Sequence, residues 1–302
     1  MSTTSMSDHI KIAEGLTVRR VGYGAMQLTG AQVWQEYPDR EAGITLLREA
    51  VEAGVDFIDT ADVYGPHSNE LLIRDALHPY PEQLRIATKG GFVRGGFDYS
   101  TLAAIGNANY LRQSAHMSAR RLGVETIDLY YLHSGRATDA TFEEQIGTLA
   151  ELRKLGLIRN IGLSNITLDQ LRTAQEIVEI VAVTAQFNVT VRSGGDLLRA
   201  AEQDGIAFSP WHPITLTDGP EPLTQRAKEV VAPIAQEHGV TAQQIALAWQ
   251  LHHSQASLPI PGTTSLTHLR ENLSAQSIDL TDKEIAAITA IATDPKQSSR
   301  NE

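Results

Sequence analysis

Along most of the chain, short apolar runs alternate with longer stretches whose apolar residues recur at helical spacing. The runs fall at 18–24, 55–59, 84–88, 127–132, 158–163, 181–185, 206–208 and 257–260. Each has the length of a short strand and is bounded by polar or turn residues. Between and after them the periodicity predicts helices at about 39–53, 68–77, 99–122, 142–155, 168–178, 196–203, 223–238, 242–252 and 281–292. In the first helix Ile44, Leu47, Ala50 and Val51 form one face, Asp39 offers an N-cap and Gly54 a stop. Strand–helix alternation predicts a parallel sheet, and eight units predict an α/β fold of the closed (β/α)8 TIM-barrel type. The competing architecture is an open doubly wound sheet. Against it, Gly22-Tyr23-Gly24 continues with Gln27 where a dinucleotide fingerprint needs its third glycine. No stretch reads as a linker, so residues 1–302 are expected to form a single barrel domain, with flexible tails over about 1–12 and 294–302.

Composition narrows the function. With 42% hydrophobic and 20% charged residues, the chain has ample material for a core. A formal net charge of −11, with no run of Lys or Arg, argues against nucleic acid as a partner and leaves room only for a local phosphate pocket. The absence of cysteine removes disulfides, thiolate metal sites and cysteine nucleophiles, and fits a reducing compartment. The start lacks an apolar signal core, and no apolar run approaches the roughly 18 residues that would span a bilayer. A cytoplasmic protein with no membrane partner is expected, a monomer being favoured. His252 and His253 are adjacent and no His-Glu-x-x-His spacing occurs, so no metal site is expected.

Candidate chemistry lies where the apolar runs stop. The residues there are Asp59 and Tyr64, Lys89, His133, Ser164 and Asn165, Gln186, Ser209, and Gly262, Thr263 and Thr264. In a (β/α)8 barrel the C-terminal strand ends form one rim, and the active site sits on it. Each residue alone has a bland reading: Asp59 as a turn cap, Lys89 as a solvated charge, His133 as a satisfied core histidine, Ser164-Asn165 as a helix cap. Their convergence favours joint chemistry. Tyr64 is a weak acid of ordinary pKa near 10. An adjacent Lys89 ammonium should lower that value, with Asp59 holding the lysine in place and His133 orienting a carbonyl oxygen. Such a cluster can protonate an oxygen that turns alkoxide as hydride reaches carbon, and a reduced nicotinamide is implied as the donor. A barrel enzyme with Lys89 as a Schiff-base nucleophile is an alternative, but it leaves Tyr64, His133 and Ser164-Asn165 without a shared purpose. Asp62 is read as turn chemistry.

The chain resembles the aldo-keto reductases. The resemblance rests on 54–65 (Gly-Val-Asp-Phe-Ile-Asp-Thr-Ala-Asp-Val-Tyr-Gly), Ala87-Thr88-Lys89-Gly90, 128–133 (Asp-Leu-Tyr-Tyr-Leu-His) and Ile161-Gly162-Leu163-Ser164-Asn165. Gln186-Phe187-Asn188, Phe208-Ser209-Pro210 and the stretch from Ile260-Pro261-Gly262 to Glu271-Asn272 continue it in order. The resemblance implies Tyr64 as general acid, Lys89 and Asp59 as its tuners, and His133 as the substrate-orienting histidine. It also implies Ser164, Asn165 and Gln186 on the nicotinamide carboxamide, Phe208 stacked on the ring, Ser209 and Trp211 at the pyrophosphate, and Gly24, Ala25 and Met26 beneath the ring. Many relatives grip the adenosine 2′-phosphate with a lysine and an arginine where this chain has Gly262 and His268. Thr263, Thr264, Ser265 and the following helix start, through Glu271 and Asn272, remain to serve a phosphate. NADPH is the expected cofactor, with NADH open. Trp34, Tyr37, Phe92, Arg94, Trp211 and His212 are expected around a small carbonyl substrate. Gly22 to Leu28, Tyr64-Gly65-Pro66-His67 and the 260–272 stretch further resemble the bacterial pyridoxal reductase branch. A nicotinamide-sensing regulatory subunit of the same fold, or a general aromatic-aldehyde reductase, are the alternatives.

Overall fold

The computed structural model describes residues 7–292. Seven strands lie side by side, every neighbouring pair parallel: β1 Tyr23–Gly24, β2 Phe57–Asp59, β3 Arg85–Gly90, β4 Ile127–Leu132, β5 Ile158–Ser164, β6 Ala182–Gln186 and β7 Ala207–Trp211. The stretch 256–261 closes the ring. On one side Phe208 N donates to Ala256 O and Leu258 N to Phe208 O, both at 2.8 Å; on the other Gly22 N reaches Pro259 O at 3.0 Å and Gly24 N reaches Pro261 O at 3.3 Å. Two prolines without N–H groups explain why this eighth staff is a bridged segment rather than a regular strand. The (β/α)8 barrel expected from the alternation is what the chain forms. The seam between first and last staves is tight enough to require glycine: a Cβ on Gly24 would lie 2.6 Å from Ile260 O, and one on Gly262 would lie 2.8 Å from Gly24 O.

The helices are α1 Arg40–Glu52, α2 Ser68–Leu77, α3 Ala108–Leu122, α4 Phe142–Lys154, α5 Leu168–Ile177, α6 Gly195–Asp204, α7 Glu221–His238, α8 Ala242–His253, α9 Leu266–Ser274 and α10 Asp282–Thr289. Asp39 caps α1, and Thr–Glu or Thr–Gln capping boxes start α4, α5, α8 and α10, which is why those starts are legible in sequence. No described helix is long and apolar enough to cross a membrane. Period-two alternation splits the core into two layers. Phe57, Ala87, Leu129, Tyr131, Ala182, Ala207, Leu258 and Ile260 fill the lumen. Tyr130, Ile161, Val183 and Phe208 point the other way, into the layer shared with the helices.

Three expectations need correction. His9–Ala13 is a strand paired antiparallel with Leu16–Arg19, not part of a flexible start reaching residue 12. Its Ile10 and Ile12, with Leu16 and Val18, are buried with the lumen residues, so the hairpin is held by burial of its alternate side chains. Of the expected tails, 1–6 and 294–302 lie outside the described residues. The expected strand 18–24 is accordingly divided between hairpin and β1. The expected helix from 99 begins only at Ala108, capped by Asn107, because Leu102–Ala104 pairs with Phe92–Arg94 as a small hairpin over the rim.

Candidate active site

Strand parity selects the rim side chains. Phe57, Ala87 and Tyr131 are lumen residues, so Asp59, Lys89 and His133, each two positions on, project from the same face. Lys89 Nζ donates to Asp59 Oδ1 and, at 2.8 Å, to Thr60 O. The pair is almost wholly removed from water, with side-chain exposures of 4% and 5%. Burial raises the Asp59 carboxyl, and the Lys89 charge and hydrogen bond oppose that rise. Beyond β2 the chain turns, with Asp62 N bonded to Lys89 O at 3.1 Å and Tyr64 N to Ala61 O at 3.2 Å, and this delivers Tyr64 to the same spot. The Lys89 ammonium lies 5.3 Å from the Tyr64 ring centroid. The Tyr64 and His133 rings meet edge-on at 6.0 Å. The four residues expected to act together do form one buried cluster.

Its electrostatics differ from the expectation in one respect. The expected lowering does not prevail: burial first, then the negative charges of Asp59, Tyr99 and Asp62, push the Tyr64 phenol well above 10. The ammonium is already committed to Asp59 and Thr60 O. His133, buried and near Lys89, is pushed well below 6.5 and is therefore neutral. Its Nδ1 is buried without a hydrogen-bond partner, and Phe92 packs edge-on against its ring at 4.7 Å. Met26, Val33 and Phe92 pack against the cluster of Ala61, Val63 and Tyr64, so loops after β1 and β3 wall the site.

Across the rim, Asn165 Nδ2 donates to Ser164 Oγ at 3.0 Å and to His133 O at 3.3 Å, which ties the Ser164-Asn165 pair to the histidine. Asn165 holds φ of 52°, a left-handed conformation that asparagine tolerates. Gln186 and Trp211 are register partners on β6 and β7. Gln186 Nε2 donates to Asp218 Oδ2 at 3.1 Å, an acid that also receives Asn188 Nδ2 at 3.2 Å and contacts His212 Nδ1 at 2.9 Å. Ala207 faces the lumen, so Ser209 and Trp211 do as well. Phe208 does not, and its expected stacking role is corrected: it is fully buried in the outer layer, edge-on to Phe187 at 5.9 Å. Trp211, half-buried with an unpartnered Nε1, is the aromatic side chain of β7 with the right parity.

Of the remaining expected cofactor residues, Gly24 and Gly262 form the barrel seam and Ala25 is fully buried, its carbonyl receiving Asn69 Nδ2 at 2.9 Å. Thr263 O receives Tyr23 OH at 2.7 Å, and Thr263 Oγ1 receives Ser265 N at 3.0 Å. Ser265 caps α9 by accepting from His268 N at 3.4 Å. Thr264 and His268 are exposed, Glu271 is half-buried, and Asn272 is buried with Nδ2 unpartnered. Arg270 points elsewhere, pairing with Glu49 at 3.1 Å. Among the expected pocket residues, Trp34 and Phe92 lie on the two walling loops, whereas Tyr37 packs with the core beneath α1 and α2.

One buried acid beside the cluster was hidden from sequence reasoning. Asp62, read as turn chemistry, is buried; its Oδ2 accepts Ser114 Oγ at 2.6 Å and Tyr110 OH at 3.4 Å. Burial, against the Ser114 bond, raises its carboxyl to about 7. Its partners stand 48 and 52 residues away on α3, so no local spacing reveals them.

Comparison with known proteins agrees with this fold. The profile described as "Aldo/keto reductase family" matches residues 20–293. The chain is 39% identical over 281 residues to pyridoxine 4-dehydrogenase of Escherichia coli, spanning 91% of this chain and 96% of the relative. Among solved structures, the thermostable aldo-keto reductase Tm1743, in complex with the inhibitor epalrestat, superposes with a TM-score of 0.81 at 28% identity, covering 94% of this chain and 99% of that one. An aldo-keto reductase from Klebsiella pneumoniae, solved with NADPH, superposes with a TM-score of 0.79 and covers 97% of this chain and 98% of its own; at 22% identity it speaks to fold alone.

Proposed function

This chain belongs to the aldo/keto reductase family, a family of oxidoreductases, and from that premise we propose that it reduces an aldehyde or ketone reversibly to the alcohol with NADPH. The observation that carries the reading is the buried cluster of Asp59, Lys89, Tyr64 and neutral His133 at one end of the lumen. NADPH, when bound, supplies hydride to the carbonyl carbon. The protein must then place a proton on the oxygen that becomes alkoxide. Tyr64 keeps its phenolic proton through the neutral and alkaline range, because its pKa lies well above 10, and an alkoxide is basic enough to take that proton. The phenolate left behind lies beside the Lys89 ammonium, so the charge arises next to a fixed cation rather than in an apolar wall. His133, being neutral, keeps a ring N–H to hydrogen-bond the carbonyl oxygen without competing as an acid.

The residues present fit a dinucleotide. Trp211 Nε1 and Asn272 Nδ2 are buried donors without partners, which is uncommon unless a ligand completes them. We assign Ser164, Asn165 and Gln186 to the nicotinamide amide, Ser209 and Trp211 to the phosphates, and Thr263, Thr264, Ser265 and His268 at the start of α9 to the adenosine end. With Arg270 engaged by Glu49 and Gly262 lacking a side chain, a 2′-phosphate would depend on hydroxyls and backbone N–H groups. Pyridoxal is the favoured specific substrate, supported by the 39% identity to pyridoxine 4-dehydrogenase of Escherichia coli and by the aromatic side chains Trp34, Phe92 and Trp211 on the walls. The test is NADPH oxidation against a panel of carbonyl compounds that includes pyridoxal and simple aromatic aldehydes. Higher kcat/KM for pyridoxal is expected; no turnover of any carbonyl sinks the reductase reading, and no preference for pyridoxal sinks the specific one.

A further inference from the structure

On the premise that the Tyr64 cluster is a carbonyl-reducing site, we infer that Arg94 is a positioning and specificity-determining residue, clamping the two walling loops together over the pocket. Its guanidinium joins two loop segments that otherwise meet where Tyr99 N donates to Gln32 Oε1 at 3.4 Å and where their apolar side chains pack on the Tyr64 cluster. Nη1 donates to Gln32 O at 3.0 Å and Val33 O at 3.2 Å, both after β1, while Nη2 donates to Phe97 O at 2.7 Å in the loop after β3. The same group lies 5.2 Å from the Trp34 ring centroid and 5.1 Å from that of Tyr99, one aromatic from each loop. The segment it grips is strained: Gln32, Val33 and Gln35 have φ of 58°, 55° and 66°. A β-branched valine in the left-handed region is a rare conformation that surrounding contacts must hold in place.

The other contacts lead to the chemistry. Val33 O also accepts Gly65 N at 3.1 Å, and Ser68 Oγ donates to Gln35 O at 3.0 Å, so the strained segment is fastened to the turn that carries Tyr64. Val33 packs against the Tyr64 cluster, and Phe92, two residues from Arg94, packs against His133. Both loops therefore deliver apolar contacts to the proton-delivery cluster, and Arg94 ties the two loops together. A planar fork able both to stack and to donate in three directions is a task for arginine, not lysine. Held together, the two loops restrict the space they wall and so favour a flat carbonyl compound; freed, they would admit bulkier ketones.

The test compares wild type with Arg94→Met and Arg94→Lys. In both variants KM for a planar aromatic aldehyde should rise about tenfold, with kcat changed less than about threefold and the NADPH Kd within about twofold. The kcat/KM ratio of a bulky ketone to the planar aldehyde should increase. Full rescue by Arg94→Lys, or an equal loss on both substrates, would overturn the inference. Amide exchange gives a readout that needs no turnover: the Trp34 and Gly65 amides should exchange at least about tenfold faster in Arg94→Met. Unchanged exchange refutes the clamp whatever the wild type reduces, whereas a wild type inactive on every carbonyl with exchange accelerated refutes the reductase premise and leaves the clamp standing.

Discussion

Replacing Asp62 by asparagine should stabilise this protein in alkaline solution and not in acid. The carboxyl is 2% exposed, with Oδ1 unpartnered and Oδ2 held by Ser114. Burial raises its pKa from 3.8 to about 7; the Ser114 bond and the Arg121 charge oppose that rise, and the charge of buried Glu70 adds to it. Tyr110 OH reaches the carboxyl, His67 Nδ1 contacts the Asp62 carbonyl, and the buried Tyr64 and Tyr130 phenols lie within the carboxylate's field. The sign follows from proton binding. Below pH 4 the carboxyl is protonated in folded and unfolded chains alike and costs nothing. Between about 4 and 7 the unfolded chain sheds the proton and the folded chain keeps it, so stability falls as pH rises, and above 7 the loss is constant. At about 1.4 kcal/mol for each tenfold difference, the full penalty is about 4 kcal/mol, of which about 3 kcal/mol develops between pH 4.5 and 8. Asparagine keeps an acceptor for Ser114 and loses the charge, although its NH2 group needs a partner and forfeits about 1–3 kcal/mol without one. The robust quantity is thus the change in the difference between variant and wild type: about 3 kcal/mol more favourable to Asp62→Asn at pH 8 than at pH 4.5. Urea unfolding at both pH values, with equal slopes confirming comparable unfolded states, measures it. A difference that stays the same at both pH values would refute the assignment of a buried, proton-holding carboxyl.

Tyr64→Phe should lower carbonyl reduction by about 10²–10⁴-fold while the NADPH Kd, read by fluorescence titration, stays within about twofold; retained activity removes Tyr64 as the proton donor. Lys89→Met strands the Asp59 carboxylate in the lumen and should destabilise by about 3–5 kcal/mol, and the double variant Asp59→Asn with Lys89→Met should recover part of that. Denaturant midpoints at pH 8 decide between coupling and simple additivity. Trp211→Ala should weaken NADPH binding by about tenfold, whereas Phe208→Leu should cost stability with no change in Kd; the reverse pattern would restore Phe208 to the ring-stacking role.

Much of the site was legible because strand parity is legible. Phe57 and Asp59, Ala87 and Lys89, Tyr131 and His133 each sit two apart, and a barrel whose strands end together must gather their polar members. The same rule could have excluded Phe208, flanked by Ala207 and Ser209 on the lumen side, but a motif match carries no register. The N-terminal hairpin had a period-two signal in Ile10 and Ile12, outweighed by the polar residues before it. Asp62 had no signal at all, since its environment is made by Ser114 and Tyr110 from a helix far along the chain. The tyrosine's acidity was misjudged for a related reason: the motifs place a lysine nearby, but the burial and the neighbouring acids that outweigh its charge are set by the fold.

The seam between 22–24 and 259–261 has a kinetic meaning. Those residues are almost the farthest apart along the chain of any that pair in the barrel, so joining them bears the largest loop-closure entropy of any contact in the ring. The join has two backbone hydrogen bonds of 3.0 and 3.3 Å on that side and one from Tyr23 OH to Thr263 O at 2.7 Å, and the prolines at 259 and 261 have no amide to add to them. A barrel fastened this way is expected to close last on folding and part first on partial opening, with Gly24 and Gly262 at the point where the circle is completed.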